Sequence, residues 1–317
     1  MTKRNTQLGK LIYALALTGS LVGCGEDGGS NSPAPPPPVV VPPTPVPPPS
    51  PPPTPPPPPP PAGLVRPNAS NTGFPAGMAL LSWTGPQTDA RSGIVIDGYD
   101  LPRPSGGYYI FTGNNLILRN CRINGGVLFS GDNIRVERCE IIGGLSLSGT
   151  ANATVEYNNI HDISDDGIHV TSDSGQVRTV TIAHNFVHTY VYPAAIACND
   201  PHSDGIQVRG ADGLTLLNNV FDMGRWQTIC NGRFTPLSAA IFLEPANGGN
   251  RNITVDRNYL NGSAIVLRIG QGPNTRIIGN RFGRDERFGL VSNDSQPGDI
   301  IEKSGNVRDD TGEPVNF

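Results

Sequence analysis

Residues 253–260 read Ile253-Thr-Val-Asp-Arg-Asn258-Tyr-Leu260, and residues 214–221 read Leu214-Thr-Leu-Leu-Asn-Asn219-Val-Phe221. In both, two apolar positions alternate with a polar one, two residues intervene, an asparagine follows, and another apolar position closes the frame. The frame recurs at Leu116–Ile123, Ile134–Ile141, Ala153–Ile160, Val180–Val187 and Thr275–Phe282, and more weakly from Ile301 to Asn306. Cys121 and Cys139 stand in the asparagine's place in the first two repeats. A period of two marks short strands, and clusters of Gly, Asn and Asp end each one. A second strand follows at Val127–Phe129, Leu145–Leu147, Ile168–Val170, Ile206–Val208, Ile241–Leu243 and Ile265–Leu267. The marked position advances by 18, 19, 27, 34, 39, 22 and 26 residues. A minimal length with insertions of variable size belongs to a solenoid whose loops bulge from one side. The asparagine column is scaffold on this reading: stacked amides about 4.8 Å apart bond one another and the turn backbone.

Two or three short parallel strands per turn around an interior asparagine column resemble the right-handed parallel β-helix of the pectin-lyase-like superfamily. The opening stretch Arg66–Gly77, then Leu80 to Pro86 and Ile94–Gly98, is similar to the start of many secreted bacterial β-helix proteins. The resemblance covers residues 66–317 and implies an all-β fold, with Phe74 to Trp83 capping the first coil. It fixes no single reaction.

The 317-residue chain is not one body. Residues 1–23 carry Lys3, Arg4 and Lys10 and then an apolar run from Leu11 to Val22, the layout of an export signal and too short for a comfortable membrane span. Leu21–Val22–Gly23–Cys24 resembles a bacterial lipobox, which implies cleavage before Cys24 and lipidation of that cysteine. Residues 24–62 form a linker in which Pro33 to Pro61 are interrupted only by Ala, Val, Thr and Ser. Such a run makes a disordered, stiff polyproline II tether, reaching on the order of 90 Å at about 3.1 Å per residue. Residues 63–317 are expected to form the β-helix. These features imply a monomer anchored to a membrane of the bacterial cell envelope through Cys24. A net charge of −4 without a basic stripe excludes nucleic acid as a partner. In an exported protein, Cys198 and Cys230, each in a long irregular insertion, are candidates for a disulfide.

Aligning the coils shows where chemistry gathers. After the first strand, one position holds His161, His188, Asp222 and Asn261 on successive coils; on the second strand an outward column reads His169, Gln207, Phe242 and Val266. Two residues further on stand Thr171, Arg209, Glu244 and Arg268. Asp166 aligns with Asp204, with Asp165 and His202 nearby. Insertions of a dozen residues or more are usually functional. Two of them, Thr189–Ser203 and Gly224–Ser238, bring Tyr190, Tyr192, Arg225, Trp226 and Arg233, types suited to stacking sugars and pairing carboxylates. Each piece has a plainer reading: Asp-Gly pairs are common turn residues, His184 suits a strand-to-turn position, and an arginine–glutamate column is an ordinary surface ladder.

Three reactions are common on the resembled scaffold. β-Elimination from a uronic acid needs the substrate carboxylate neutralised, a base for the C5 proton and an acid for the leaving oxygen. Lys303 is the only lysine after residue 62, so the base falls to His202, Arg209 or a tyrosine. Pectate lyases use an arginine base beside Asp-bound calcium, which implies Ca²⁺ at Asp165, Asp166 and Asp204. The catalytic set is then His202, Arg209, Asp204 and His188, and the substrate set His169, Gln207, Tyr190, Arg225, Trp226, Glu244 and Arg268. Asp200–Pro201–His202 is similar to the Asp-Pro-His tripeptide of mannuronan C5-epimerases. The carboxylates superficially resemble those of inverting polygalacturonases, but that family's Gly-His-Gly and Arg-Ile-Lys elements are absent. The expected function is a polysaccharide lyase acting on an anionic, uronate-containing glycan, with epimerase, inverting hydrolase and non-catalytic glycan binder as alternatives.

Overall fold

The structure is a computed structural model that describes residues 64–199 and 201–317. The expected export signal, Cys24, the expected proline tether and Asp200 lie outside the described residues. Each turn of the chain contributes one strand to each of three sheets of nine, ten and nine strands, and every strand pair is parallel. One complete coil runs from Arg178–Ala183 in the first sheet to Phe186–His188 in the second and Ser203–Arg209 in the third. It then re-enters the first sheet at Asp212–Leu217. The chain is a parallel β-helix, and a parallel crossover of this kind is right-handed.

Inward side chains stack by type. In the first sheet Ile96, Leu118, Val136, Val155, Ile182, Leu216, Val255 and Ile277 pair in register, each at most 2% exposed. Burying each side chain of this size contributes roughly 1.5–3 kcal/mol. Between the first and second sheets the chain turns through one left-handed residue: Asn120, Arg138, Tyr157, His184, Asn218 and Arg257 all have φ between 48° and 58°. The next residue is the column position. From Asn158 through Asn185, Asn219, Asn258 and Asn280 to Asn306, each amide nitrogen donates to the Oδ1 of the following asparagine at 2.9–3.1 Å. Each backbone N–H donates to the same oxygen, so the interior polar groups are paired. His184 is a turn residue, stacked on Tyr157 at 4.7 Å and bonded to Asn218.

The helix starts one coil earlier than the repeat frame shows. Val95–Asp97, Tyr99–Leu101 and Tyr108–Phe111 form a full turn, but the column position there is Tyr99, whose N–H donates to the Cys121 sulfur at 3.4 Å. An Asn-or-Cys frame therefore misses it. Residues 64–73, ahead of the expected cap, run as a strap along the asparagine corner. Asn218 donates to the Val65 carbonyl at 3.0 Å, Arg66 pairs with Asp309 and lies over Tyr259, and Gly73 N–H donates to the Tyr157 carbonyl at 2.8 Å. The end of the expected cap does cover the start: Leu81–Ser82 is the edge strand against Tyr99–Leu101, Trp83 N–H donates to the Asp100 carbonyl at 3.0 Å, and its ring stands edge-on to Tyr99 at 5.3 Å.

Candidate functional site

The outward column of the third sheet pairs Ser146 with His169, His169 with Gln207, Gln207 with Phe242 and Phe242 with Arg268. Sequence alignment puts Val266 in the last place and Arg268 beside Glu244; both are displaced by two residues. Val266 is buried, while the Arg268 guanidinium lies 4.2 Å over the Phe242 ring and donates to Ser238 Oγ at 3.1 Å. In Ile265-Val-Leu-Arg-Ile269 a slip of two keeps every side chain on its own face, so alternation alone leaves the register open.

At the start of these strands, where the chain enters from the long loops, lies the strongest concentration of charge. Asp166, His202 and Asp204 come from neighbouring coils, and one ligand atom from each lies within 4.8 Å of the others, a group that could hold a metal ion. Asp204 is fully buried and follows the inward alternation of Ile206 and Val208 rather than the outward column. Its Oδ1 accepts the Ala239 N–H at 2.7 Å, and its own N–H donates to Asp166 Oδ1 at 2.9 Å. Its Oδ2 faces His202 Nδ1 at 3.6 Å and has no hydrogen-bond partner among the described residues. Burial raises the Asp204 carboxyl to about 6, against the pull of the His202 imidazole, of the Ser238 hydroxyl, which lies beside it without reaching hydrogen-bond geometry at Oδ2, and of Arg268. Burial, with the charges of Asp204 and Asp165 beside it, pushes Asp166 well up. Asp165 is exposed and does not join the three-residue group, so the set that closes contains His202 in its place.

Tyrosines surround the group. Tyr190 donates its hydroxyl to the Asp204 carbonyl at 3.0 Å, and burial raises the Tyr192 phenol, with Asp165, Asp166 and Asp204 adding to the push. The Tyr192 hydroxyl and the Ser203 Oγ are buried beside one another, close enough for Ser203 to pull the phenol down but outside strict hydrogen-bond geometry. Tyr108, which sequence reasoning missed, stands three coils before Asp166; burial and then Asp165 and Asp166 raise its phenol to about 12. Its ring lies where Gly126 has no side chain: a Cβ there would stand 2.2 Å from Tyr108 Cε1. A Cβ on Gly167 would likewise meet the Tyr190 hydroxyl at 3.0 Å. Glycine pairs ahead of the third-sheet strands were the signal for Tyr108, legible only once the ring above them is identified.

The remaining candidates lie apart or are engaged. His169, on the outward column, is half-buried; burial lowers it to about 4, and its Nε2 has no partner among the described residues. Arg209, on the same sheet, is held by Glu244 at 3.1 Å and Asp173 at 3.5 Å. His188 is on the second sheet, with Nε2 on Asn159 Oδ1 at 3.0 Å and Nδ1 on Thr189 Oγ1 at 2.7 Å, its ring 3.9 Å from Phe186. Both nitrogens are occupied and the structure does not bring it to Asp204. Cys198 and Cys230 form a disulfide with Cα atoms 5.0 Å apart, tying the two insertions together. The first of these contains a one-turn helix, Ala194–Ala197, where sequence reasoning placed no structure. The second leans toward later coils: the Trp226 ring carries Arg287 at 4.5 Å, and Thr235 accepts from Arg287 at 2.7 Å. Arg225 is exposed on it.

The family description "Right handed beta helix region" matches residues 88–221. Among solved structures, the chain is similar to pectate lyase Pel9A, at 11% identity and a TM-score of 0.37 over 75% of this chain and 71% of that one. It is also similar to the Dettilon tailspike protein gp208, at 10% identity and a TM-score of 0.27 over 64% of this chain. The chain spans 60% of the tailspike's length. No curated protein sequence matches it.

Proposed function

We propose that this protein acts on an anionic, uronate-containing polysaccharide and cleaves it by β-elimination. The observation that carries the reading is the Asp166–His202–Asp204 group beside the Arg268 guanidinium, at the head of a sheet face holding His169 and Gln207. A cation at the group, with Arg268, would neutralise the uronate carboxylate and so acidify the C5 proton. His169 is the base on this reading: burial keeps its imidazole neutral at ordinary pH, and its Nε2, itself buried, has no hydrogen-bond partner among the described residues, so a bound sugar has to displace the side chains over it. It takes the C5 proton as the C4–O bond breaks, the electron pair forms the C4=C5 double bond, and the departing oxygen takes a proton from the Tyr192 hydroxyl or water. Inverting hydrolysis fits less well. It needs carboxylates about 6.5–9.5 Å apart, whereas Asp166 and Asp204 lie within 4.8 Å.

The test is incubation with a panel of uronate polymers while following the ultraviolet absorbance of the unsaturated product. Absorbance that appears with the wild type and is lost in His169→Ala supports the proposal. New reducing ends without absorbance would move the activity to hydrolysis, and retained glycan binding with no product would make the protein a binder.

A further inference from the structure

We infer that Asp166, His202 and Asp204 hold a divalent transition-metal ion such as manganese, cobalt or zinc, and not calcium. The inference does not depend on the elimination reading, because binding is measured without a glycan.

The first observation is the use of a carboxylate where an amide would suffice. Asp204 Oδ1 accepts the Ala239 N–H of the next coil, and Asp166 Oδ1 accepts the Asp204 N–H. This is the task that asparagine oxygens perform at the other corner, where Asn185, Asn219 and Asn258 accept backbone N–H groups of adjacent coils. A neutral side chain meets that need without the cost of burying a charge. The aspartates therefore bring a negative charge that the scaffold does not use.

The second observation is where that charge points. Asp204 is 0% exposed, yet its Oδ2 has no hydrogen-bond partner among the described residues and faces His202 Nδ1 at 3.6 Å. Two ligands about 2.1 Å from one tetrahedral metal stand about 3.4 Å apart, close to this separation. Asp166 completes a set whose ligand atoms lie within 4.8 Å of one another. His202 is half exposed, with room to close on an ion.

The donor chemistry decides the class of ion. Calcium takes six to eight oxygens at about 2.3–2.6 Å, commonly with bidentate carboxylates. Here Asp204 and Asp166 each hold a backbone N–H through one oxygen, which fixes the carboxylate and disfavours bidentate binding, and the third donor is an imidazole nitrogen. Two single carboxylate oxygens and one imidazole, with the remaining positions open, suit manganese, iron, cobalt or zinc.

The full chain, stripped with chelator and dialysed, is titrated with Mn²⁺, Zn²⁺ and Ca²⁺ by calorimetry and with Co²⁺ by visible spectroscopy. The expected result is one site per chain for the transition metals, a visible Co²⁺ band, and Ca²⁺ weaker by about 100-fold or more. His202→Ala should weaken Co²⁺ and Zn²⁺ binding by about 100-fold and remove the visible band, while Asp165→Asn leaves both unchanged. Asp204→Asn, which keeps the oxygen that accepts Ala239 N–H, should do the same as His202→Ala with the circular dichroism intact. Calcium binding as tight as zinc and indifferent to His202→Ala would overturn the inference, and so would a chain that binds none of the four ions.

Discussion

Replacing Asp204 by asparagine should make the metal-free protein more stable at neutral pH, although the residue is fully buried and hydrogen-bonded. The carbonyl of the introduced amide would keep the 2.7 Å bond from Ala239 N–H, and the amide nitrogen would take the place of Oδ2, which has no hydrogen-bond partner among the described residues. Burial raises the Asp204 carboxyl from 3.8 to about 6, roughly two units, or about 3 kcal/mol at 1.36 kcal/mol per unit. The folded state thus holds the proton more tightly than the unfolded chain. Below about pH 4 both states are protonated and nothing is lost. Between about 4 and 6 the folded protein binds more protons, so wild-type stability falls as pH rises, and above about 6 the full cost is present. For a domain of this size 1 kcal/mol moves the melting temperature by about 2–4 °C, so Asp204→Asn should melt roughly 5–10 °C above wild type at pH 7.5 and level with it at pH 4. Thermal melts followed by circular dichroism in chelator measure both. A variant that melts lower than wild type at pH 7.5 would refute the account of Asp204 as a buried charge whose partners do not offset its desolvation.

Asn219→Ala should be among the most damaging changes to the scaffold. It strips the acceptor from Asn185 N–H and Nδ2 and the donors from the Ile182 carbonyl and Asn258 Oδ1. A loss of about 3 kcal/mol or more in urea denaturation is expected, and a loss under 1 kcal/mol would contradict it. Cys198→Ser should speed protease cleavage within the two tied insertions before it affects the coils, as read by mass spectrometry of limited digests; unchanged loop cleavage would show that the disulfide does not order them. If His169 is the base, kcat/KM for elimination should rise through about pH 4 and then show no further dependence on this residue up to neutrality. Elimination that survives His169→Ala and is lost in His202→Ala would transfer the role to His202.

The scaffold was legible because its signals are local and repeated. An asparagine after a strand, six times over, predicts the buried ladder, and strict alternation predicts which side chains point inward. What alternation does not carry is register beyond parity, which is why Arg268 was set two residues out of place while its face was right. Asp166 and Asp204 were assigned to adjacent coils from their Asp-Gly context, and their hydrogen bond places them there. Their depth was not legible. A bulge between Ser203 and Asp204 draws the second carboxylate into the corner between sheets, and no feature of His202-Ser-Asp-Gly205 announces a bulge. Tyr108 was invisible for a different reason: its role depends on space left by Gly126, a residue contributed by another coil.

A stack of identical rungs that touch only their neighbours frays from its ends, one rung at a time. The strap alters that behaviour. Arg66 holds Asp309 across 243 residues, Val65 is tied to Asn218, and Gly73 to Tyr157, so one short segment links rungs from the middle of the array to its far end. The final rung cannot peel away without releasing Arg66, and the strap cannot lift without exposing the corner beneath it. The rungs from Tyr157 to Asp309 should therefore give way together, the earlier ones fraying on their own, and a single cut between Arg66 and Gly73 should return that half of the array to ragged, sequential loss.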